Sequence, residues 1–275
     1  MSIVMAGLSP HPPLIIPEIG GQRLGEVQDT VDSLQELSRE MVDCKPDLLI
    51  TISPHGQVFQ DAVSVLDEEV VCGDLGDFGH PEVSFREVTD QKFIEKLTEN
   101  SQQEGIELVT LSEDSVSNSS VVAELDHGVM VPLYYLREAG LDVPLIALTM
   151  GLLSYQELYE FGNLIQDVVA QSDLDALVLA SGDLSHRLKP GAPAGYNPRG
   201  EVFDKKLVQL LEEKRFKEVL DMDPDLIRKA GECGLRPLII MLGCIRDLKL
   251  QVDVKSYEGP FGVGYAVAGF HPEEG

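Results

Sequence analysis

Short apolar runs alternate with amphipathic helical segments through most of this chain of 275 residues. The run Asp47–Ser53 is continuous enough for a strand that is buried on both faces, and Gly25–Val42 carries apolar residues at helical spacing. Such alternation favours helices packed on both faces of a central sheet. We therefore predict an α/β fold with three layers, α/β/α, around a central mixed sheet.

The same patterns assign the rest of the chain. Predicted strands are Ile3–Ser9, Asp47–Ser53, Val58–Leu66, Glu69–Cys72, Glu107–Thr110, Val143–Thr149, Ala176–Ala180, Val252–Tyr257 and Gly264–Phe270. Predicted helices are Gly25–Val42, Asp90–Glu104, Asp126–Glu138, Tyr155–Ser172, Val202–Lys214, Pro224–Ala230 and Leu235–Asp247. The glycine-rich stretches Gly73–Arg86 and Ser181–Gly200 are predicted loops. No repeat or linker divides the sequence, so we expect residues 1–275 to form one domain.

The charge balance argues against several classes of partner. Lys and Arg total 21 against 47 Asp and Glu, a formal net charge of −26. Such a surface repels phosphate backbones and anionic membranes, so neither nucleic acid nor membrane is an expected partner. No basic leader or cleavage site is recognisable, which makes the cytoplasm the expected location. No CxxC pair occurs among the four cysteines, and reduced thiols are expected.

Two histidines occupy matching positions at the ends of predicted strands. His11 lies in Ser-Pro-His-Pro-Pro and His55 in Ser-Pro-His-Gly. Proline stops a central strand and fixes the local backbone, and α/β sheets bind ligands in crevices at strand ends. If the two strands are parallel neighbours, both imidazoles reach one crevice. Two histidines and a carboxylate form the facial triad that binds non-haem ferrous iron.

An anionic third ligand has three candidates. Glu232 and Cys233 directly precede the apolar helix predicted from Leu235, where the helix dipole favours negative charge. Glu258 lies in a turn between the last two predicted strands. Each also has a structural explanation, as a first-turn carboxylate, a buried thiol and an ordinary turn residue respectively. The residues alone leave this choice open.

Two further histidines are candidates for proton chemistry. His127 follows Asp126, a residue type favoured at helix N-caps, and His186 lies just past the strand Ala176–Ala180. A neutral imidazole can donate a hydrogen bond or act as a base near neutral pH. From the residues alone the structural explanation comes first for both: His127 as a histidine exposed at a helix start, and His186 as a loop histidine bonded to backbone and water.

Taken in order, these motifs resemble one known family. The chain is similar over essentially its whole length to the LigB-like superfamily of class III extradiol ring-cleaving dioxygenases. Within it, the chain is most similar to the branch near the AmmeMemoRadiSam system protein B and Memo proteins. The motifs are Ser9-Pro10-His11-Pro12-Pro13, Ser53-Pro54-His55-Gly56, Asp126-His127-Gly128 with Val131-Pro132-Leu133, Ser181-Gly182-Asp183-Leu184-Ser185-His186, Cys233-Gly234-Leu235-Arg236-Pro237, and Tyr257-Glu258 with Gly262-Val263-Gly264-Tyr265.

The resemblance implies a LigB-like catalytic domain that opens the ring of a catechol-type, phenolic substrate with dioxygen at Fe(II), zinc being the alternative metal. By this resemblance His11 and His55 are the imidazole ligands, His186 is the acid–base histidine and His127 is a second active-site histidine. Glu232 is the third ligand we favour for a ring-cleaving enzyme, because such members carry a glutamate just before the late apolar helix.

The sequence departs from the ring-cleaving pattern at this third ligand. Memo-like members carry a cysteine there, and alignment on Gly234 places Cys233 in that position. Cys233 is therefore the alternative ligand, and Glu258 is a less favoured one. The alternative function is a Memo-like metal-binding protein without ring-cleavage activity, the partner of a radical-SAM system. Because some ring-cleaving relatives have two subunits, a homo-oligomer or a second subunit is left open.

Overall fold

The computed structural model describes residues 2–113 and 123–273. Its strands are β1 (Ile3–Ser9), β2 (Leu48–Ser53), β3 (Val63–Leu66), β4 (Val70–Leu75), β5 (His80–Val88), β6 (Leu108–Leu111), β7 (Leu145–Thr149), β8 (Ala176–Ser181), β9 (Leu250–Glu258) and β10 (Tyr265–Pro272). Its α-helices are α1 (Pro17–Gly20), α2 (Gln28–Asp43), α3 (Gln91–Glu104), α4 (His127–Glu138), α5 (Tyr155–Ala170), α6 (Arg199–Glu212), α7 (Phe216–Leu220), α8 (Pro224–Ala230) and α9 (Leu235–Cys244).

One mixed sheet forms the centre of the molecule. Its strand order is β6-β3-β7-β2-β8-β1-β10-β9. The four strands β7, β2, β8 and β1 are parallel, β10 is antiparallel to β1, and the edge strand β9 is antiparallel to β10. On the other side β3 is antiparallel to β7 and parallel to β6. The predicted mixed central sheet is confirmed.

Helices cover both faces of this sheet. Every residue of β2 is buried: Leu48, Ile50 and Ile52 pack into one apolar cluster, and Leu49 packs into the other. Helices α3 and α5–α9 contribute to the first cluster, and α2 and α4 contribute to the second. Because successive side chains of a strand point to opposite faces, these two clusters confirm the predicted three layers. No helix in the described ranges is both long and apolar enough to cross a bilayer.

A hairpin replaces one predicted loop. The stretch Gly73–Arg86 was predicted to be irregular, but β4 and β5 pair antiparallel through it as a separate two-stranded sheet. Gly79, with φ 86°, lies in the left-handed conformation that the turn requires. Val71 and Leu75 are buried against the cluster that includes α4. Tertiary burial of these few apolar residues outweighs the glycine and aspartate content that predicts a loop.

Candidate metal centre

His11 and His55 converge at one edge of the sheet. Strands β1 and β2 are parallel but are not neighbours, because β8 lies between them and pairs with both. Their carboxyl ends still open at the same edge. The Nε2 atoms of the two imidazoles lie 2.9 Å apart, and the rings meet edge to face at an interplanar angle of 82°.

Cys233 completes a group of three donors. Its Sγ lies 3.6 Å from His11 Nε2, and the ligand atoms of His11, His55 and Cys233 all lie within 4.8 Å of one another. Donors bound to one ion at about 2.0–2.3 Å are roughly 3–4 Å apart, so this spacing fits a single metal ion. Two imidazoles and a thiolate suit zinc or iron better than magnesium or calcium, which prefer oxygen ligands.

The hydrogen bonds around His11 prepare its Nε2 for a metal. The Ser181 hydroxyl donates to the Gly128 carbonyl oxygen and lies 2.9 Å from His11 Nδ1. Since the hydroxyl proton is already used, the Ser181 oxygen accepts from Nδ1–H. That fixes the tautomer in which Nε2 carries a lone pair, as in metal sites whose histidines donate their other ring N–H to a protein oxygen.

Asp183 connects the segments that carry these donors. Its Oδ1 accepts from the His11 backbone N–H at 3.0 Å, and its carbonyl oxygen accepts from the N–H groups of Cys233 and Gly234 at 3.3 and 2.9 Å. The side chain is buried, and burial raises the pKa of this carboxyl to about 7. Asp183 therefore fixes the Cys233 loop, between α8 and α9, against the strand-end loop of His11.

The other two candidates for the third ligand lie outside this group. Glu232 Oε2 accepts from the Leu235 N–H at 2.7 Å, where it satisfies a free donor at the start of α9, and burial raises the pKa of this carboxyl to about 7. Glu258 Oε1 accepts from the N–H and hydroxyl of Thr30 at the start of α2. The structure thus brings Cys233, the alternative ligand, to the histidines, and leaves Glu232 in a helix-capping position.

His127 and His186 border the same centre. His127 opens α4, and its ring stacks on His55 with centroids 4.3 Å apart and an interplanar angle of 28°. His186 Nε2 lies 4.0 Å from Asp183 Oδ2. Burial lowers the pKa of both His127 and His186, so both rings are neutral at neutral pH.

The two proposed imidazole ligands are also neutral. Burial is the main cause that lowers the pKa of His11 well below its usual value, and the nearby His55, His127 and His186 add to it. Burial and the charge of His127 lower the pKa of His55 to about 4, against an opposing effect of Asp126. At neutral pH no imidazole proton has to be displaced before a cation binds.

Several residues that support this centre were not assigned to it from the sequence, although Asp126 is the N-cap of α4 that the sequence predicts. The His55 N–H donates to Ser53 Oγ at 3.1 Å, the Ser53 hydroxyl donates to Asp126 Oδ1 at 2.6 Å, and Asp126 accepts from the Gly128 N–H at 2.7 Å. Asp126 thereby joins the His55 loop to the start of α4. Ser181 and Asp183 lie inside a motif quoted for the family resemblance, which was the signal available, but their partners are distant in sequence.

A cavity of about 760 Å³ adjoins the centre. His55 and His127 form one part of its wall, and the β4–β5 hairpin forms another. The Phe78 ring at the tip of the hairpin lies 5.2 Å from the His127 ring, centroid to centroid. This volume falls within the roughly 300–1,000 Å³ of small-molecule sites.

Comparison with known proteins gives relatives over most of the chain. A protein of Clostridium acetobutylicum, CA_C1420, is 36% identical over 260 residues, which are 94% of this chain and 56% of that protein. This chain thus spans little more than half the length of that relative. The 3,4-dihydroxyphenylacetate 2,3-dioxygenase of Escherichia coli is 26% identical, with 85% of this chain and 86% of that protein aligned. The MEMO1 family protein MJ0403 of Methanocaldococcus jannaschii is 23% identical over 86% of this chain and 72% of its own length.

A solved structure shares the fold of this chain, and a known protein family matches its sequence. The uncharacterized protein JW3007 of Escherichia coli K12 superposes with a TM-score of 0.63 at 16% identity, covering 97% of this chain and 99% of that one, which shows a shared fold. Residues 5–268 match the family described as the catalytic LigB subunit of aromatic ring-opening dioxygenase. Because this match spans nearly the whole sequence, the chain belongs to the LigB family.

Proposed function

We propose that this protein is a class III extradiol dioxygenase that opens the ring of a catechol-type substrate with dioxygen at Fe(II). The observation that carries the proposal is the convergence of His11, His55 and His127 beside a cavity of about 760 Å³, with His186 bordering the same centre. Membership of the LigB family and the dioxygenase relative support the same reaction class. One catalytic domain over residues 1–275 is part of this proposal.

In this proposal His11, His55 and Cys233 hold the metal. The bound iron would supply Lewis acidity toward the two substrate oxygens and the redox capacity for dioxygen chemistry. The neutral imidazole of His186 accepts a phenolic proton as substrate binds, and Asp183, 4.0 Å from its Nε2, stabilises the resulting imidazolium. His127, held by its stack on His55, donates a hydrogen bond into the cavity.

Oxygen uptake by anaerobically purified, Fe(II)-loaded protein tests the reaction. We expect one dioxygen consumed per catechol, and His186→Gln should lower kcat by about 10²–10⁴-fold while metal content stays unchanged, because a general base is lost. The control is His80→Gln, because this imidazole lies outside the three-donor group. It is on the hairpin, with its Nδ1 2.8 Å from Glu82 Oε1. Protein that binds iron but consumes no oxygen with any of a broad catechol panel would contradict the dioxygenase proposal.

A pair of neighbouring variants tests the third ligand. We expect Cys233→Ala to weaken metal binding by more than about 100-fold, because even residues that only support a ligand contribute 10–100-fold. Glu232→Ala should keep the metal and lose about 1 kcal/mol of stability, the cost of a lost helix cap. Metal content by mass spectrometry and unfolding by denaturant measure the two effects. Metal loss in Glu232→Ala alone would restore the carboxylate as ligand.

The pH dependence of metal affinity separates the same two ligands. Burial raises the pKa of the Cys233 thiol well above its usual value, so the thiol is protonated at neutral pH and metal must displace its proton. The Kd should therefore fall about tenfold per pH unit from pH 6 to 9. A Glu232 ligand, whose pKa is about 7, would make the Kd level off above pH 7. Calorimetry in a series of buffers provides the measurement.

One observation favours a second function: the third candidate metal ligand is the Cys233 thiol. A soft thiolate in place of a hard carboxylate changes which metal is preferred. We propose as the alternative a Memo-like metal-binding protein without ring-cleavage activity, a partner of a radical-SAM system. It predicts tight zinc binding through Cys233 and no oxygen uptake after iron loading.

A further inference from the structure

The cavity beside the metal centre has a charged wall. The described residues that line it include four carboxylates, on Asp74, Asp77, Glu124 and Asp126, and include no Lys or Arg. The Asp126 carboxylate already accepts hydrogen bonds from the Ser53 hydroxyl and the Gly128 N–H. The side chains of the other three are exposed, so their negative charge acts on whatever enters the cavity.

Apolar and aromatic groups line the same cavity. Phe78, Phe85 and Met130 lie on its wall together with the rings of His55 and His127. The Phe78 ring, 41% exposed, reaches His127 from the hairpin and so connects the charged wall to the histidines. A flat aromatic ring with a short side chain fits this combination, with the ring among the aromatic residues and the side chain toward the carboxylates.

The hairpin contributes two of these carboxylates, on Asp74 and Asp77. Asp74 Oδ1 accepts from the Gly76 N–H at 2.7 Å, which closes a tight turn and orients the carboxylate. Asp77 lies in the single turn of 3₁₀ helix, Gly76–Phe78, that also carries Phe78. A ligand that contacts Phe78 therefore passes close to Asp77.

We propose that this cavity selects catechols whose side chain ends in an ammonium group and disfavours those that end in a carboxylate. The inference rests on the proposed ring-opening function and adds the charge class of its substrate. It differs in this respect from the carboxylate-bearing compound, 3,4-dihydroxyphenylacetate, for which the Escherichia coli relative is named.

Coulomb's law gives the size of the expected preference. Two unit charges about 8 Å apart in water interact by roughly the thermal energy RT before screening, and physiological salt reduces this further. Exchanging an ammonium for a carboxylate on the ligand changes its charge by two units, and reversing one aspartate changes the protein by two units. Each aspartate reversal is therefore expected to shift the preference by about three- to tenfold.

A matched series of ligands and variants tests the proposal. Anaerobic calorimetry with metal-loaded protein measures the Kd of 4-(2-aminoethyl)catechol, 4-ethylcatechol and 3,4-dihydroxyphenylacetate, which share a ring and differ in side-chain charge. We expect the amine to bind most tightly and the acid least tightly. Asp77→Lys should reduce the ratio of the Kd of the acid to the Kd of the amine by about three- to tenfold. In the wild-type protein, added salt should also reduce this ratio.

Glu95→Lys is the control, because it changes the net charge by the same amount as Asp77→Lys. The exposed Glu95 lies on helix α3, which packs on the face of the sheet opposite the hairpin. It should leave the ratio unchanged. If all three catechols bind but their order ignores charge, or if Glu95→Lys shifts the ratio as much as Asp77→Lys, the charge preference is overturned and ring opening stands. If none of the catechols binds, the proposed function fails and this inference fails with it.

Discussion

His11→Ala and His55→Ala are each expected to leave the purified protein with less than about 0.1 metal ion per chain. The three donors His11, His55 and Cys233 lie within 4.8 Å of one another, and either change leaves two. Most structural and catalytic sites use at least three protein ligands, so two donors hold the ion far more weakly. Oxygen uptake with catechols should be lost in parallel. Metal analysis after gel filtration and an oxygen electrode supply the measurements.

Control variants separate ligand loss from misfolding. His11 is only 2% exposed, so His11→Ala also leaves a small buried gap, whereas His11→Gln keeps most of the volume and should still lose the metal. His80→Ala removes an imidazole that lies outside the three-donor group and should retain the ion. Full metal content in both His11→Gln and His55→Ala would show that these histidines do not bind the ion.

Gly182→Ala is expected to cost about 3 kcal/mol in the free energy of unfolding, the upper end of what overpacking typically costs. A Cβ on Gly182 would lie 2.0 Å from the Gly234 Cα, so the clash involves backbone and no flexible side chain can relieve it. Gly182 precedes Asp183, and Gly234 follows Cys233. Relief of the clash must therefore move the Cys233 loop, and we expect metal affinity to fall by at least about tenfold as well.

Gly25→Ala is the matched control for this prediction. A Cβ at Gly25 would have no heavy atom within 4 Å, and the backbone there is not left-handed. The change should be neutral or stabilise the protein by up to about 1 kcal/mol, because alanine restricts the unfolded chain. Urea unfolding of the two variants beside the wild-type protein measures both effects. Equal stability of Gly182→Ala and Gly25→Ala would show that the two loops are not tightly packed.

The sequence predicted most of the framework because burial on two faces leaves a strong signal. The continuous apolar runs of β1, β2 and β8 identify strands of a central parallel sheet, and the helical spacing in α2 and α5 identifies covering helices. The five-residue helix α7 was missed, because so short a segment carries little periodicity. The predicted strand from Val58 begins only at Val63.

The repeated strand–Pro–His pattern in the sequence alone indicated His11 and His55 as candidate metal ligands. The order of the strands did not follow from it, since β8 lies between β1 and β2 and contributes Ser181 next to His11. Likewise, Glu232 and Cys233 are adjacent in sequence, and no local pattern tells which side chain faces the histidines. Their directions depend on backbone hydrogen bonds to Asp183 and on the start of α9.

What the sequence determined by itself is therefore the kind of fold, the family and the two histidines at strand ends. Only the tertiary structure decided that Cys233 joins them and that an acidic hairpin borders their cavity. The physical reason is the distance in sequence between the residues that interact. Strand and helix signals arise from neighbouring residues and their burial, whereas a metal centre depends on groups more than a hundred residues apart, such as His11 and Cys233, whose distance is set by the packing of the whole sheet and its helices.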